Sequence, residues 1–97
     1  MITIAFSVNG VPIRLPDERW RHIRERHPEV ELQEQVLEAV SSPDLVQQGD
    51  FGTLVAIRKQ NNIHLVVIYR EVSGSDGFII TAYLAERLRE RTVIWTR

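Results

Sequence analysis

The sequence predicts a single α+β domain in which two helices pack on one face of an antiparallel sheet of about four to six strands. Three observations lead to this prediction. Residues 2–15 have the pattern of an N-terminal β-hairpin, residues 16–41 carry the apolar spacing of two helices, and residues 53–84 contain three runs rich in β-branched and aromatic side chains. With 97 residues, the chain is long enough for one hydrophobic core and too short for two domains.

The N-terminal hairpin is predicted from its turn. Asn9-Gly10 separates the runs 2–8 and 11–15, and this dipeptide is typical of a two-residue turn between antiparallel strands. Pro12 has no amide hydrogen to donate to a neighbouring strand. Its position therefore indicates an edge strand or an early end to pairing.

Both helices are predicted from their ends and their apolar spacing. The first begins at Pro16 and ends at about residue 26 or 27, because Pro28 disfavours helical geometry in the residue before it. At about 100° per residue, Trp20 and Ile23 share the face that points to the core. The second helix spans about residues 31–41. Its predicted core positions are Leu32, Val36, Leu37 and Val40.

Three histidines could carry acid–base chemistry, since an imidazole titrates near neutral pH. His22 and His27 lie about 140° apart on a helix, so the spacing predicts that no single pocket or metal site contains both. His22 is on the exposed side with Arg19 and Arg26, where it is either simply solvated or free to meet a substrate. His27 lies on the core side, a position typical of packing or helix capping. His64 reads as an ordinary strand residue.

The strands are predicted from short β-branched and aromatic runs between turn residues. Asn61-Asn62 predicts a two-residue turn between two of these strands, because asparagine tolerates the positive φ that such a turn requires. The predicted strands after the helices are 45–48, 53–60, 63–72, 78–84 and a last edge strand at 92–95, with a helical turn or a loop at 85–91.

The faces of the sheet depend on the loop at 73–77. If Val72 lies opposite Phe78, one face is apolar and is expected under the helices, namely Val55, Ile57, Val66, Ile68, Phe78, Ile80, Ala82 and Leu84. The opposite face then collects Arg58, Tyr69, Thr81 and Tyr83. A loop shorter by one residue would move Thr81 and Tyr83 beside Lys59, His64 and Arg70. It would also expose Phe78, Ile80 and Leu84, so we favour the first register.

The polar side chains of that second face suggest a site for RNA. Arg58 offers a planar guanidinium for a phosphate, Tyr69 and Tyr83 offer hydroxyls and stacking surfaces, and Thr81 offers a further donor. This combination suits a metal-independent ribonuclease in which a base activates a 2′-hydroxyl and an acid protonates the leaving oxygen. The alternative is the ordinary half-exposed side of an antiparallel sheet.

Charge and composition limit the classes of function. The net charge of −1 argues against binding nucleic acid by charge alone, yet residues 1–27 sum to +2, residues 58–97 sum to +3, and residues 28–57 carry six acids and no base. The sequence contains no cysteine, no basic leader and no apolar run of membrane-spanning length. We expect a cytoplasmic protein that does not associate with a membrane.

Several motifs together resemble the small phage and bacterial nuclease-like domains of the barnase, EndoU, colicin and RelE fold. The similarity covers residues 13–95 and rests on five segments: 20–29 with its His-Pro-Glu element, Ser42-Pro-Asp44, 49–58, 67–71, and 77–83 with Thr-Ala-Tyr. It implies two helices on a curved antiparallel sheet, RNA as substrate, no cofactor, and a toxin held by a small antitoxin protein. The positions that match the motifs are His22 or His27, Arg58, Tyr69, Thr81 and Tyr83.

Two main hypotheses follow. The first is an endoribonuclease of toxin type that uses one helix histidine as acid or base. The second is a catalytically inactive binding module whose polar face receives a protein partner such as an antitoxin. A homodimer formed through the edge strand at 92–95 is a third.

Overall fold

The computed structural model describes residues 3–97 and confirms an α+β fold with two helices. Residue 2, which the sequence prediction placed in the first strand, lies outside the described residues. The elements in chain order are β1 (Thr3–Phe6), β2 (Pro12–Leu15), α1 (Asp17–Arg26), α2 (Gln33–Ser41), β3 (Leu45–Gln48), a 3₁₀ turn (Asp50–Gly52), β4 (Leu54–Gln60), β5 (Ile63–Ser73), β6 (Asp76–Ala85) and β7 (Val93–Thr96).

All seven strands belong to one open sheet in the order β1-β2-β6-β5-β4-β3-β7. The sheet is larger than predicted and mixed, because β2 pairs with β6 in parallel while the other neighbouring pairs are antiparallel. Gly77 permits this pairing: a Cβ there would lie 2.6 Å from Cδ1 of Ile13 and 2.5 Å from the carbonyl oxygen of Arg70. Only Ile13↔Gly77 and Arg14↔Phe78 pair, so most of this edge of β6 has no strand beside it.

Both helices pack on one face of the sheet, and the predicted choice of face is wrong. The covered face carries Leu54, Ala56, Leu65, Val67, Tyr69, Ile79 and Ala82, which form the main core with Ile23, Val36, Ala39 and Val40 of the helices. Apart from Ala82 and Leu84, the apolar set expected under the helices is not part of this core. The reason is that β4 and β5 are apolar on both faces, so alternation alone does not identify the buried one.

The register between β5 and β6 explains where the prediction failed. The strands extend through the predicted loop to a two-residue turn, with Ser73 opposite Asp76. Farther along, Tyr69 lies opposite Ile79 but Ile68 lies opposite Thr81, so Ile80 is an extra residue in β6. Beyond this bulge, Thr81 and Tyr83 lie on the outer face of the sheet.

The outer face is partly covered by residues 86–92, which form an irregular segment rather than a helical turn. Leu88 of this segment packs with Val55, Ile57 and Val66 in a second, smaller cluster. Other apolar side chains on the sheet and its edges stay exposed, including Ile4, Phe6, Val72, Val93 and Ile94.

Several other predictions about the elements are confirmed, and one about the core is wrong. The bounds of α1, the core position of Ile23 and the edge position of β7 are confirmed. Leu32 is half exposed rather than buried, because α2 begins only at Gln33 and leaves it outside the helix. Neither α1 nor α2 is long and apolar enough to cross a membrane.

Candidate functional site

A cavity of about 680 Å³ lies between α1 and the edge of β6 that no strand covers. It forms there because α1 follows β2 directly and runs beside β6, where β2 has ended. We call it the edge cavity. Its lining residues are Arg19, His22, Ile23, Arg26 and His27 from α1 and its end, and Ile80, Thr81 and Tyr83 from β6.

Both helix histidines line this cavity, contrary to the prediction that one pocket would not contain both. The helical wheel fails at His27, since its φ of −132° and ψ of 68° place it outside helical geometry as the C-terminal cap of α1. The amide of His27 still donates to the carbonyl of Ile23 at 2.7 Å, which anchors the residue to the helix end. Its ring is therefore held at the β6 edge rather than in the core.

Each histidine has a carboxylate nearby. Nδ1 of His27 lies 3.4 Å from Oε2 of Glu29, and Nε2 of His22 lies 3.9 Å from Oε1 of Glu18. The His27 ring also meets the Tyr83 ring, with centroids 5.7 Å apart and planes tilted by 39°. The carboxylate of Glu29 favours a proton on Nδ1 of His27, which leaves Nε2 as the acceptor.

Arg19 and Arg26 supply the positive charge of the edge cavity. Within residues 3–97, neither guanidinium has an ion-pair or hydrogen-bond partner, and no carboxylate is among the lining residues. Two unpaired guanidinium groups beside two imidazoles form a site that favours an anion, and a phosphate in particular.

Thr81 and Tyr83 bring a hydroxyl and a phenol to the same cavity from the sheet. Both are half-buried on the outer face, beyond the bulge at Ile80. Tyr83 also lines a second cavity of about 90 Å³, here called the outer cavity, with Arg87, Arg89 and Arg91. Its phenol ring thus separates two neighbouring basic surfaces.

Arg58 and Tyr69 lie elsewhere, so the prediction that four polar groups share one exposed face is wrong. Arg58 is on the helix side, where Nη2 lies 2.9 Å from Oε1 of Glu38 and Nη1 donates to the carbonyl of Ser42. Tyr69 is fully buried in the main core. Burial, followed by the charge of Glu71, raises the pKa of its phenol well above the ordinary 10.0.

Comparison with known proteins gives no relative. The chain matches no protein-family model, no curated protein and no solved structure. The site must therefore be interpreted from its own chemistry. Among residues 3–97, no group of three or more histidine, aspartate or glutamate side chains is placed to hold a metal ion.

The sequence contained a signal for two cavity residues that were not proposed as site residues. Arg19, His22 and Arg26 are spaced i, i+3 and i+7, so they share one face of α1. That face was identified as exposed, but its position against the sheet edge could not be inferred without the docking of β2 beside β6.

Proposed function

We propose that this protein is a metal-independent endoribonuclease whose active site is the edge cavity. The observation that carries the proposal is the lining of that cavity: two imidazoles, two unpaired guanidinium groups, a hydroxyl and a phenol, with no carboxylate among them. These are the groups that the cleavage of a phosphodiester by a neighbouring 2′-hydroxyl requires. The resemblance to the barnase, EndoU, colicin and RelE nucleases points to the same chemistry.

The two histidines divide the proton transfers. His27, oriented by Glu29 at its Nδ1, takes the proton of the 2′-hydroxyl through Nε2. The 2′-oxygen attacks phosphorus, the bond from phosphorus to the 5′-oxygen breaks, and a protonated His22 gives its proton to the leaving oxygen. The products are a 2′,3′-cyclic phosphate and a free 5′-hydroxyl.

The remaining lining residues bind the substrate. Arg19 and Arg26 neutralise the phosphate oxygens and stabilise the additional charge of the pentacoordinate transition state. Thr81 donates a hydrogen bond to one of those oxygens. Tyr83 stacks on a base with the part of its ring that His27 leaves free. Arg58 and Tyr69 have no role in this arrangement.

The test is a cleavage assay with the purified chain, a labelled single-stranded RNA and excess chelator. We expect cleavage with 2′,3′-cyclic phosphate ends, and a rate lower by on the order of 10²-fold or more in His22→Ala and in His27→Ala. Two changes serve as matched controls. His64→Ala removes an imidazole whose Nδ1 lies 3.2 Å from the carbonyl oxygen of Ala85, and Arg21→Ala removes an exposed α1 cation outside the cavity.

Both controls should cleave at the wild-type rate, and circular dichroism should show all four variants folded. If the wild-type chain does not cleave RNA, or if both cavity variants cleave at the wild-type rate, the edge cavity is not a ribonuclease site. Products that end in a 3′-hydroxyl would contradict attack by the 2′-oxygen.

A protein-binding module is the second candidate, and one observation favours it. The two edge strands expose apolar side chains, Ile4 and Phe6 on β1 and Val93 and Ile94 on β7. An exposed edge with unpaired backbone groups can add a strand from a partner or from a second copy. This candidate predicts no cleavage in the assay above, together with a complex or a dimer in light scattering.

A further inference from the structure

Phe51 is the most exposed large apolar side chain among residues 3–97. It is 93% exposed, and it stands in the turn between β3 and β4. Its φ of 56° and ψ of 41° place it in the left-handed region, where a phenylalanine is strained. An exposed aromatic ring held in an unfavourable backbone conformation suggests a function, since stability alone favours a glycine or an asparagine there.

The turn that carries Phe51 is held firmly by its neighbours. The Gly49 amide donates to the carbonyl of Thr53 at 2.9 Å, and the amide and hydroxyl of Thr53 both donate to the carbonyl of Asp50. The carboxylate of Asp50 is in turn paired with Arg89 at 3.5 Å and Arg91 at 3.3 Å. The ring of Phe51 is therefore presented from a fixed backbone.

The surroundings of this ring are cationic. Arg89 and Arg91 lie beside the preceding residue, and a Cβ at Gly52 would be 3.4 Å from Nη1 of Arg70. A basic setting favours a nucleic acid as the partner, because bases stack on aromatic rings and phosphates pair with guanidinium groups.

Neighbouring residues link the turn of Phe51 to the edge cavity. Tyr83 lines both the edge cavity and the outer cavity, and the outer cavity also contains Arg89 and Arg91, which hold the turn of Phe51. Tyr83 lies level with Ile57 of β4, two strand spacings or roughly 10 Å across the sheet. Phe51 precedes Leu54, so it lies at least three residues, roughly another 10 Å, farther along the strand direction. A short single strand can span that separation.

We propose that Phe51 is a stacking platform for a base of single-stranded RNA, whose backbone crosses the basic outer cavity and enters the edge cavity over Tyr83. The proposal rests on the proposed function for the identity of the ligand as RNA. It adds that the substrate is single-stranded and contacts the protein outside the cleaved bond. A duplex cannot present an unstacked base to Phe51.

The test measures binding apart from cleavage. Fluorescence anisotropy with a labelled single-stranded oligonucleotide of about ten nucleotides that lacks 2′-hydroxyls reports affinity, since this probe cannot be cleaved. We expect Phe51→Leu and Phe51→Gly to weaken binding by roughly 5- to 100-fold, and Phe51→Trp to retain it. A duplex of the same sequence should bind more weakly than the single strand.

Two comparisons exclude a general effect. Phe51→Gly should melt at a higher temperature than the wild-type chain, because glycine adopts a φ of 56° without strain, so weaker binding by this variant cannot come from unfolding. Phe6→Leu changes another exposed phenylalanine, on β1 and away from the two cavities, and this variant should bind as the wild type does.

Three results would overturn the proposal: wild-type affinity in Phe51→Leu, equal loss in Phe6→Leu, or a dimer that dissociates in Phe51→Leu, which would assign Phe51 to a protein contact. Wild-type affinity in Phe51→Leu alongside cleavage in the edge cavity would leave the proposed function intact. The opposite result, binding that depends on Phe51 but no cleavage, would contradict the ribonuclease function and support Phe51 as a stacking platform.

Discussion

At the scale of single residues, Tyr69 carries a buried polar group that lacks a hydrogen bond in the described part of the chain. Its side chain is fully buried, and its hydroxyl has no hydrogen-bond partner among residues 3–97. A buried polar group without a partner costs about 1–3 kcal/mol. We therefore expect Tyr69→Phe to raise the free energy of unfolding by about 1 kcal/mol or more in urea titration. A destabilised variant would indicate that the hydroxyl is satisfied.

The buried phenol of Tyr69 also leads to a prediction about stability at alkaline pH. Because burial, with the charge of Glu71 added, raises the pKa of the folded phenol above 10.0, the unfolded chain loses this proton first as pH rises. The contribution to stability is complete below pH 10 and declines above it. The urea midpoint of the wild-type chain should therefore fall more steeply above that pH than that of Tyr69→Phe.

At the scale of elements, Arg58 joins the end of α2 to β4. Its guanidinium binds the Ser42 carbonyl, just after the last helical residue, and Glu38 one turn earlier. These half-exposed contacts stabilise the helix end by about 1–2 kcal/mol. Arg58→Ala should lower the free energy of unfolding by that amount in urea titration. The cleavage rate of the folded fraction should stay unchanged.

The matched change is Glu38→Gln, which keeps the Ser42 contact and should lose less stability. If the cleavage rate falls in Arg58→Ala while the protein is fully folded, Arg58 contacts the substrate after all.

The bounds of several helices and strands could be predicted from the sequence, but which face of the sheet each side chain lies on could not. Proline, paired acids and turn residues define α1, β3 and the Asn61-Asn62 turn almost to the residue. The bulge at Ile80 has no such signal, because an extra strand residue changes no local propensity. Together with a second register shift between Glu71 and Ser73, this insertion places Thr81 and Tyr83 on the face opposite Arg58 and Tyr69. Four polar residues predicted to act together are therefore two separate pairs.

At the scale of the whole molecule, the site depends on how the N-terminal hairpin docks. The parallel pairing of β2 with only two residues of β6 leaves the rest of that edge to α1, and the edge cavity lies between them. The hairpin and the strands were each predicted, but the position of the hairpin beside β6 was not, since a parallel contact between distant segments leaves no trace in local sequence. The types of residue that line the cavity could be recognised in the sequence. That they lie close together follows from the strand order, which the sequence did not predict.

Positive and negative charges are separated along the chain despite the net charge of −1, and this separation determines how the proposed RNA binding should respond to salt. Residues 28–57 include six acidic side chains and no basic one. The edge cavity contains Arg19 and Arg26, and the outer cavity contains Arg87, which has no ion pair within residues 3–97. About three phosphate contacts predict that log affinity for a single strand falls against log salt with a slope of about −2.

Anisotropy titrations at several salt concentrations measure that slope. Arg26→Ala should reduce its magnitude by about 0.7, because one phosphate contact is lost, while Arg21→Ala on the same helix should leave it unchanged. An unchanged slope in Arg26→Ala would mean that phosphates do not reach the edge cavity. A slope steeper than about −3 would mean instead that Arg89 and Arg91, which now share the carboxylate of Asp50, also bind phosphates of the RNA.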